Sequence, residues 1–373
     1  FFSSLLGLIL LSSCISETPP NVIFILTDDQ GYGDLGIYGA SDIETPYLDE
    51  LALNGAYFTS YYSTQPVCSA SRASIMTGVY SDRIGIHNAY SPGSKVGLNP
   101  DETTIAELLK ARGYATAAFG KWHLGDAPKF LPRNHGFDEF YGFTSGHWGN
   151  YYDPVLENNG EITRGKGYIS DDITNKAISF IKNSKKPFFT YVSYNTPHSP
   201  MQVPDSYLKD KNIVLKGRYS DKENVKKTEA ALAMVENLDY NVGKVIDSLK
   251  KYELYDNTII IYFSDNGPNG NRWNNDLKER KGSTNEGGVR VPFFIQWPKK
   301  IPSGIRVSQI SSVLDIFPTL IELTNNSSEI DFDGLSFKKY LEDQKLQDNQ
   351  RKIFSYWNNK ISVRNNRFIL DNK

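Results

Sequence analysis

The sequence predicts an α/β fold, with a large mostly parallel sheet sandwiched by helices. Three observations carry that prediction. Several short runs are apolar without interruption and rich in β-branched or aromatic residues, as strands buried on both faces are. Helical patterns alternate with them, which favours crossover connections and a parallel sheet. Polar residues gather just after these runs, where sheets of this kind bind ligands.

In chain order, residues 22–27 read as the first strand, ending in Asp28 and Asp29. Residues 46–54 and 68–77 read as helices, followed by a helix over 103–112 and a strand over 114–119. Lys121 and His123 come directly after that strand. A helix over 171–181 precedes the strand 188–194, beyond which lies His198. The longest helix is expected over 224–252, where Leu238, Val242, Val245, Ile246 and Leu249 recur at helical spacing. Strands 258–263 and 291–297 complete the set, the former ending near Asp265 and Asn266. After about Asn325 short strands at 353–357, 361–363 and 367–370 suggest a small C-terminal antiparallel subdomain. The expected organisation is therefore a signal or lipoprotein segment over 1–20, a catalytic domain over 21–325 and a C-terminal subdomain over 326–373. The apolar start without Met and the strand-like end at Lys373 lead us to expect truncation at both ends.

Across 373 residues, 41 Lys and Arg balance 43 Asp and Glu, so no global field favours nucleic acid or an anionic membrane surface. An anionic substrate needs a local cluster of cations instead. Residues 1–11 are nearly all apolar and too few to span a bilayer comfortably. The ending Leu11-Ser12-Ser13-Cys14 resembles a bacterial lipobox, which implies a lipidated Cys14 and membrane attachment. The alternative is an ordinary cleaved signal with an incidental Cys14. Both imply export, to the periplasm or to the outer membrane or cell surface of a bacterium. Cys68 is the only other cysteine, an unpaired thiol in an exported protein.

Adjacent carboxylates at a strand end repel unless a cation neutralises them. Asp28, Asp29, Asp265 and Asn266 suit a hard cation, Ca2+ first and Mg2+ second, although helix capping would also use such residues. Five histidines are too few for a two-zinc phosphatase site with many nitrogen ligands. His123 and His198 are placed to act as acid or base. His87 and His135 read as structural, and His147 as a substrate-loop candidate beside Trp148. Cys68 opens a helix, where the dipole would stabilise a thiolate or an anion, and Arg72 lies one turn on. Their spacing is shorter than a phosphatase-type Cys nucleophile with an Arg clamp requires.

Cys68-Ser69-Ala70-Ser71-Arg72, continuing to Gly78, resembles the signature of the formylglycine-dependent sulfatases of the alkaline phosphatase superfamily. The usual pattern has Pro where Ala70 stands, which leaves open the identity of the maturation enzyme. Residues 21–31, 120–125, 264–267 and 281–290 resemble further blocks of that family in the same order. The resemblance implies an alkaline phosphatase-like fold and a Cys68 oxidised to formylglycine by a maturation enzyme. It implies Ca2+ held by Asp28, Asp29, Asp265, Asn266 and the modified Cys68. Arg72 and Lys121 would position the hydrated aldehyde. Lys281 and His198 would bind sulfate and help the alcohol depart, and His123 would be the base that releases sulfate. The expected substrate is a sulfate ester, of a small molecule or oligosaccharide. Loops 145–153 (His147, Trp148, Tyr151, Tyr152) and 269–278 (Arg272, Trp273) are expected to line a sugar site. The alternatives are a phosphomonoesterase or phosphodiesterase of the same superfamily, and a catalytically decayed protein that binds sulfated glycans.

Overall fold

A computed structural model describes residues 18–208, 224–326 and 330–372. The predicted lipidation at Cys14 lies outside the described residues. Among those residues, no helix is long and apolar enough to cross a membrane.

The sheet core consists of β1 (Asn21–Thr27), β2 (Ala56–Phe58), the short β3 (Tyr61–Tyr62), β4 (Ala115–Lys121) and β5 (Glu139–Phe143). A hairpin, β6 (Val155–Asn158) and β7 (Glu161–Arg164), follows. Then come β8 (Phe188–Ser193), β9 (Thr258–Ser264), β10 (Phe293–Gln296), β11 (Ile305–Val307) and β12 (Ser311–Ser312). Ten of these form one sheet in the order β11-β2-β10-β9-β1-β8-β4-β5-β6-β7. The five central strands, β9 to β5, run parallel, and antiparallel strands flank them on both sides. Helices cover both faces, as α1 (Pro46–Leu53), α4 (Ile169–Asn183) and α5 (Val225–Lys251) on one side and α2 (Cys68–Thr77), α3 (Ile105–Ala111) and α7 (Ile316–Leu323) on the other, while the short α6 (Glu286–Val289) lies in the segment before β10. The alternation of side chains along β1 divides the core, with Val22, Phe24 and Leu26 facing one cluster and Ile23 and Ile25 the other.

The predicted central strands and helices form, with small shifts at their ends. Asn224 caps α5 by accepting from the Lys227 amide, and Thr104 and Glu107 make a reciprocal capping box on α3. One direction differs from its neighbours. β10, predicted from the same continuous apolar character, pairs antiparallel with β9. Burial on both faces sets that composition, and composition carries no information about direction. The reversal has a consequence for the site: β10 starts at the edge where β1 and β9 end, so residues 281–290 must cross that edge. β5 and the β6–β7 hairpin, whose turn is Asn159-Gly160 with φ values of 53° and 95°, are additional to the predicted strands.

The C-terminal strands β13 (Ile353–Trp357), β14 (Lys360–Arg364) and β15 (Ile369–Asp371) form a separate antiparallel sheet. It docks on the segment that crosses the sheet edge, as Ser362 and Arg364 both donate to the Thr284 carbonyl.

Candidate active site

Four parallel strand ends and one helix start deliver the site. β1 and β9 are in register from Asn21–Thr258 to Thr27–Ser264, so the residues that follow face each other. Asp29 adopts φ 64°, an uncommon backbone state for a non-glycine residue, and its amide donates to Asp265 Oδ1 at 3.2 Å. Asn266 Nδ2 donates to Asp29 Oδ1 at 2.8 Å. From β4 comes Lys121, whose ammonium lies 2.6 Å from Asp28 Oδ2. Gly120 just before it has φ 102°, and a Cβ there would collide with the Ser193 carbonyl of β8. Lys281 arrives on the crossing segment, 2.5 Å from Asp29 Oδ1 and 3.3 Å from Cys68 Sγ. That segment lies close because Gly267 abuts the Gly287 carbonyl, where a side chain has no room.

Cys68 is the first residue of α2, fully buried, with Sγ 3.5 Å from Asp28 Oδ1. Burial pushes its thiol up to about 12, against the pull of Lys121 and Lys281. The helix start therefore does not yield the thiolate that its dipole alone would favour, because desolvation outweighs it. Arg72, one turn on and fully buried, donates Nε to Asp265 Oδ2 at 3.0 Å and Nη1 to Ser193 Oγ at 2.7 Å and to the Lys121 carbonyl at 3.0 Å.

Three buried carboxylates thus face three permanent cations, of which Arg72 and Lys121 are buried and Lys281 is partly exposed. Burial raises the Asp28 carboxyl, but Lys121, His198, Arg72 and Lys281 together hold it well below the usual carboxylate range. Burial and the nearby Asp28 charge push Asp265 up, to about 6. Asp29 Oδ2 and Asn266 Oδ1 are buried with no hydrogen-bond partner. Orphaned oxygens in a site of hard donors fit a divalent cation such as Ca2+. Potential ligand atoms of Asp28, Asp29, Cys68 and His198 lie within 4.8 Å of one another. Asp265 accepts one hydrogen bond on each oxygen, from the Asp29 amide and from Arg72 Nε, and each oxygen keeps a further lone pair.

The two histidines differ. His123 is buried with φ 59°; its Nε2 lies 2.9 Å from the Tyr90 carbonyl, so this nitrogen carries the proton. Burial, helped by Lys121, drives its pKa well down, and its Nδ1 has no partner. His198 donates Nδ1–H to the Ser199 carbonyl at 2.7 Å and turns Nε2 toward Asp29 Oδ2, 3.6 Å away. All predicted site residues, Asp28, Asp29, Cys68, Arg72, Lys121, His123, His198, Asp265, Asn266 and Lys281, come together here. His87 and His135 lie outside: His87 pairs with Asp82, and His135 is buried beside Trp122. His147 is exposed, its ring 5.7 Å from that of His198.

Residues 20–326 match the family described as Sulfatase, and residues 281–372 match the one described as N-sulphoglucosamine sulphohydrolase, C-terminal. The chain belongs to the sulfatase family. The sulfatase is accordingly a sulfuric ester hydrolase with an alkaline phosphatase-like fold. It is 35% identical to the N-acetylgalactosamine-6-sulfatase of Canis lupus familiaris over 93% of this chain and 70% of the relative. It is 30% identical to the uncharacterized sulfatase YdeN of Escherichia coli (strain K12), over 91% of this chain and 70% of the relative. The solved structure of Ps i-CgsB superposes with a TM-score of 0.88 at 34% identity, covering 95% of this chain and 84% of that one.

Two expected sugar-facing side chains of the sulfatase are structural instead. Tyr151 is buried, and its hydroxyl donates to the carbonyls of His198 and Ser199, holding the His198 loop. Arg272 is buried and binds Asp34 through Nε and Nη2, while Nη2 also holds the Asp29 carbonyl. A cation and a phenol that find partners inside the protein gain more there than on an exposed loop. Trp148 stacks on Phe143 at 5.1 Å. Sequence reasoning missed Ser193, Asp34 and the Tyr90 carbonyl. Ser193 had a visible signal, as a polar residue near the end of a predicted strand, whereas Asp34 had none.

Proposed function

We propose that the sulfatase hydrolyses sulfate esters of a carbohydrate, with a formylglycine hydrate derived from Cys68 as nucleophile and a Ca2+ ion held by Asp28, Asp29, Asp265 and Asn266. The observation that carries this reading is the placement of Cys68. It is buried between Asp28 and Lys281 as a neutral thiol, a poor nucleophile as it stands, at the focus of every charged group in the site. The carbohydrate part is supported by the relatives' names and by Ps i-CgsB, which has been captured with k-i-k-neocarrahexaose.

The ion would offset sulfate charge and acidify a nearby hydroxyl. Lys281 and His198 are the groups at the outer side of Cys68 and Asp29, and they would bind the sulfate oxygens. A sulfate beside His198 favours its protonated form, so Nε2 would then carry the proton the leaving alcohol needs. Lys121 and Arg72 neutralise the carboxylates beneath and fix the residue at position 68. His123, kept neutral by burial and with a free Nδ1, would take the hydroxyl proton when sulfate is expelled. A serine at position 68 would lack the second hydroxyl that this expulsion uses.

Export, a lipid at Cys14 and a maturation enzyme acting on Cys68 belong to the same proposal and rest on the sequence. Peptide mass spectrometry at position 68, on protein made in a host competent for maturation, tests it. An aldehyde residue is expected; an unmodified thiol sinks the mechanism. Turnover of matched aryl sulfate and aryl phosphate separates the sulfatase reading from phosphate ester hydrolysis, and faster phosphate turnover overturns it.

A further inference from the structure

We infer that the sulfatase has a second anion-binding subsite, formed by Lys226, Lys227 and Arg280, for another sulfate or carboxylate group of the same oligosaccharide. The inference rests on the sulfate-ester activity proposed above. A cavity of about 680 Å³ opens directly beyond His198, at Ser199 and Pro200, and is bounded by the first turn of α5 and by residues 269–272. A second cavity, of about 520 Å³, shares Gly270, Asn271, Arg272 and Arg280 with it and is lined by Lys281. The two therefore meet, and Arg280 stands between the sulfate-binding lysine and the start of α5.

The described charges along this path are mostly positive. Lys226, Lys227 and Arg280 are exposed, and no described carboxylate lies within ion-pair distance of them. Among the described residues, no carboxylate lines the larger cavity. In the smaller one, Glu279 accepts from Ser283 and Asn285. The chain as a whole carries a net charge of −2, so this excess of cations is local. α5 has no acidic residue in its first turn, and two lysines there oppose the positive end of the helix dipole. An anion among them would reverse that repulsion. Arg272 differs, since Asp34 already engages its guanidinium. An oligosaccharide with repeated anionic groups would place one ester at Lys281 and a neighbouring charge beside Arg280 and the two lysines.

The test uses dextran sulfate oligomers as competitive inhibitors of 4-nitrophenyl sulfate hydrolysis by the full chain. In the Lys226→Glu/Lys227→Glu/Arg280→Glu variant, the inhibition constant is expected to rise about tenfold or more, with KM for 4-nitrophenyl sulfate within about threefold of the parent. A control variant, Lys185→Glu/Lys186→Glu, reverses two exposed lysines elsewhere and should leave the inhibition constant unchanged. Equal losses in both variants, or no loss in the first, overturn the subsite. Oligogalacturonate and inorganic sulfate distinguish the source of the anion: inhibition weakened by the triple variant for the oligomers alone identifies a group borne on a saccharide. Loss confined to inorganic sulfate means a free-anion site and overturns the inference. If the parent shows no aryl sulfate turnover, the activity proposal fails instead. Calorimetric binding of dextran sulfate oligomers to parent and variant then still decides the subsite.

Discussion

Two clusters of charge in this molecule bury their carboxylates alike and are differently finished. Asp315 lies at the start of α7 and pairs with Arg351, which arrives from the C-terminal part of the chain. Its Oδ1 also accepts from the Leu335 amide at 2.8 Å, and its Oδ2 from the Ser312 amide at 2.8 Å. Every oxygen has a donor. At the sheet edge, Asp28, Asp29 and Asp265 are packed against one another, and Asp29 Oδ2 and Asn266 Oδ1 have none. Burial alone therefore does not distinguish a joint from a ligand site. Between these two carboxylate clusters the difference is in hydrogen bonding, since an unsatisfied buried carboxylate oxygen beside other carboxylates is costly unless a cation or reaction uses it. The first cluster holds α7 to the C-terminal region; the second leaves two buried acceptors open for the cation proposed above.

The sharpest way to break this contrast is Cys68→Ala. Losing the nucleophile precursor should lower kcat on an aryl sulfate by about 10⁴-fold or more while shifting stability by no more than about 2 kcal/mol. Parallel loss of folding, read by thermal unfolding, would make Cys68 a packing residue. Arg351→Ala should behave in the opposite way. It leaves Asp315 buried without its cation, at a cost of about 3–5 kcal/mol, with kcat/KM per folded molecule unchanged. Burial already holds the Asp315 carboxyl above its usual range despite Arg351, so lower pH should recover part of that loss. Activity lost in step with stability would place Asp315 and Arg351 in the working site. Chelation comes next. Restoring Ca2+ at about a hundred times its Kd should return activity and about 2.7 kcal/mol of stability, and by the same amount in Arg351→Ala. A cluster indifferent to added cation would show that its orphaned oxygens are not metal ligands.

How far the sequence foretold these clusters follows from what each depends on. Asp28, Asp29, Lys121, His123, His198, Asp265 and Asn266 were legible because they follow apolar runs whose ends converge in a parallel sheet, whereas Cys68, Arg72 and Lys281 were legible from the family-like blocks that carry them. Continuous burial made β1, β4, β8 and β9 visible for the same reason. β10 had the same composition, so its reversed direction stayed hidden, and with it the physical reason Lys281 reaches Asp29. β5 was missed because Gly142 interrupts a short aromatic run, while the Asn159-Gly160 turn was a readable hairpin signal. Arg272 and Tyr151 were placed on a sugar-binding surface because a loop position says nothing about which way a side chain turns. Their partners, Asp34 and the carbonyls after His198, are tertiary facts with no local trace.

Asp239 lies between the two extremes and gives the smallest but cleanest test. It sits on α5, buried, and accepts from the Leu48 amide in the first turn of α1 at 2.7 Å. No cation pairs with it among the described residues. Burial, with Asp49 and Glu236 nearby, pushes its pKa up to about 7. The unfolded carboxyl titrates near pH ~3.9, so the folded state holds this proton more tightly. The resulting stabilisation is complete below about pH 4 and is lost as pH rises through about 7. Asp239→Asn keeps an acceptor for the Leu48 amide without the charge. It should flatten the fall in stability between about pH 5 and 8, and raise stability at the upper end by roughly 1–3 kcal/mol. Denaturant unfolding across that range measures it. An unchanged slope would mean that solvent reaches this carboxylate, and that backbone donors alone suffice to finish a buried charge, against the distinction drawn from Asp315 and Asp29.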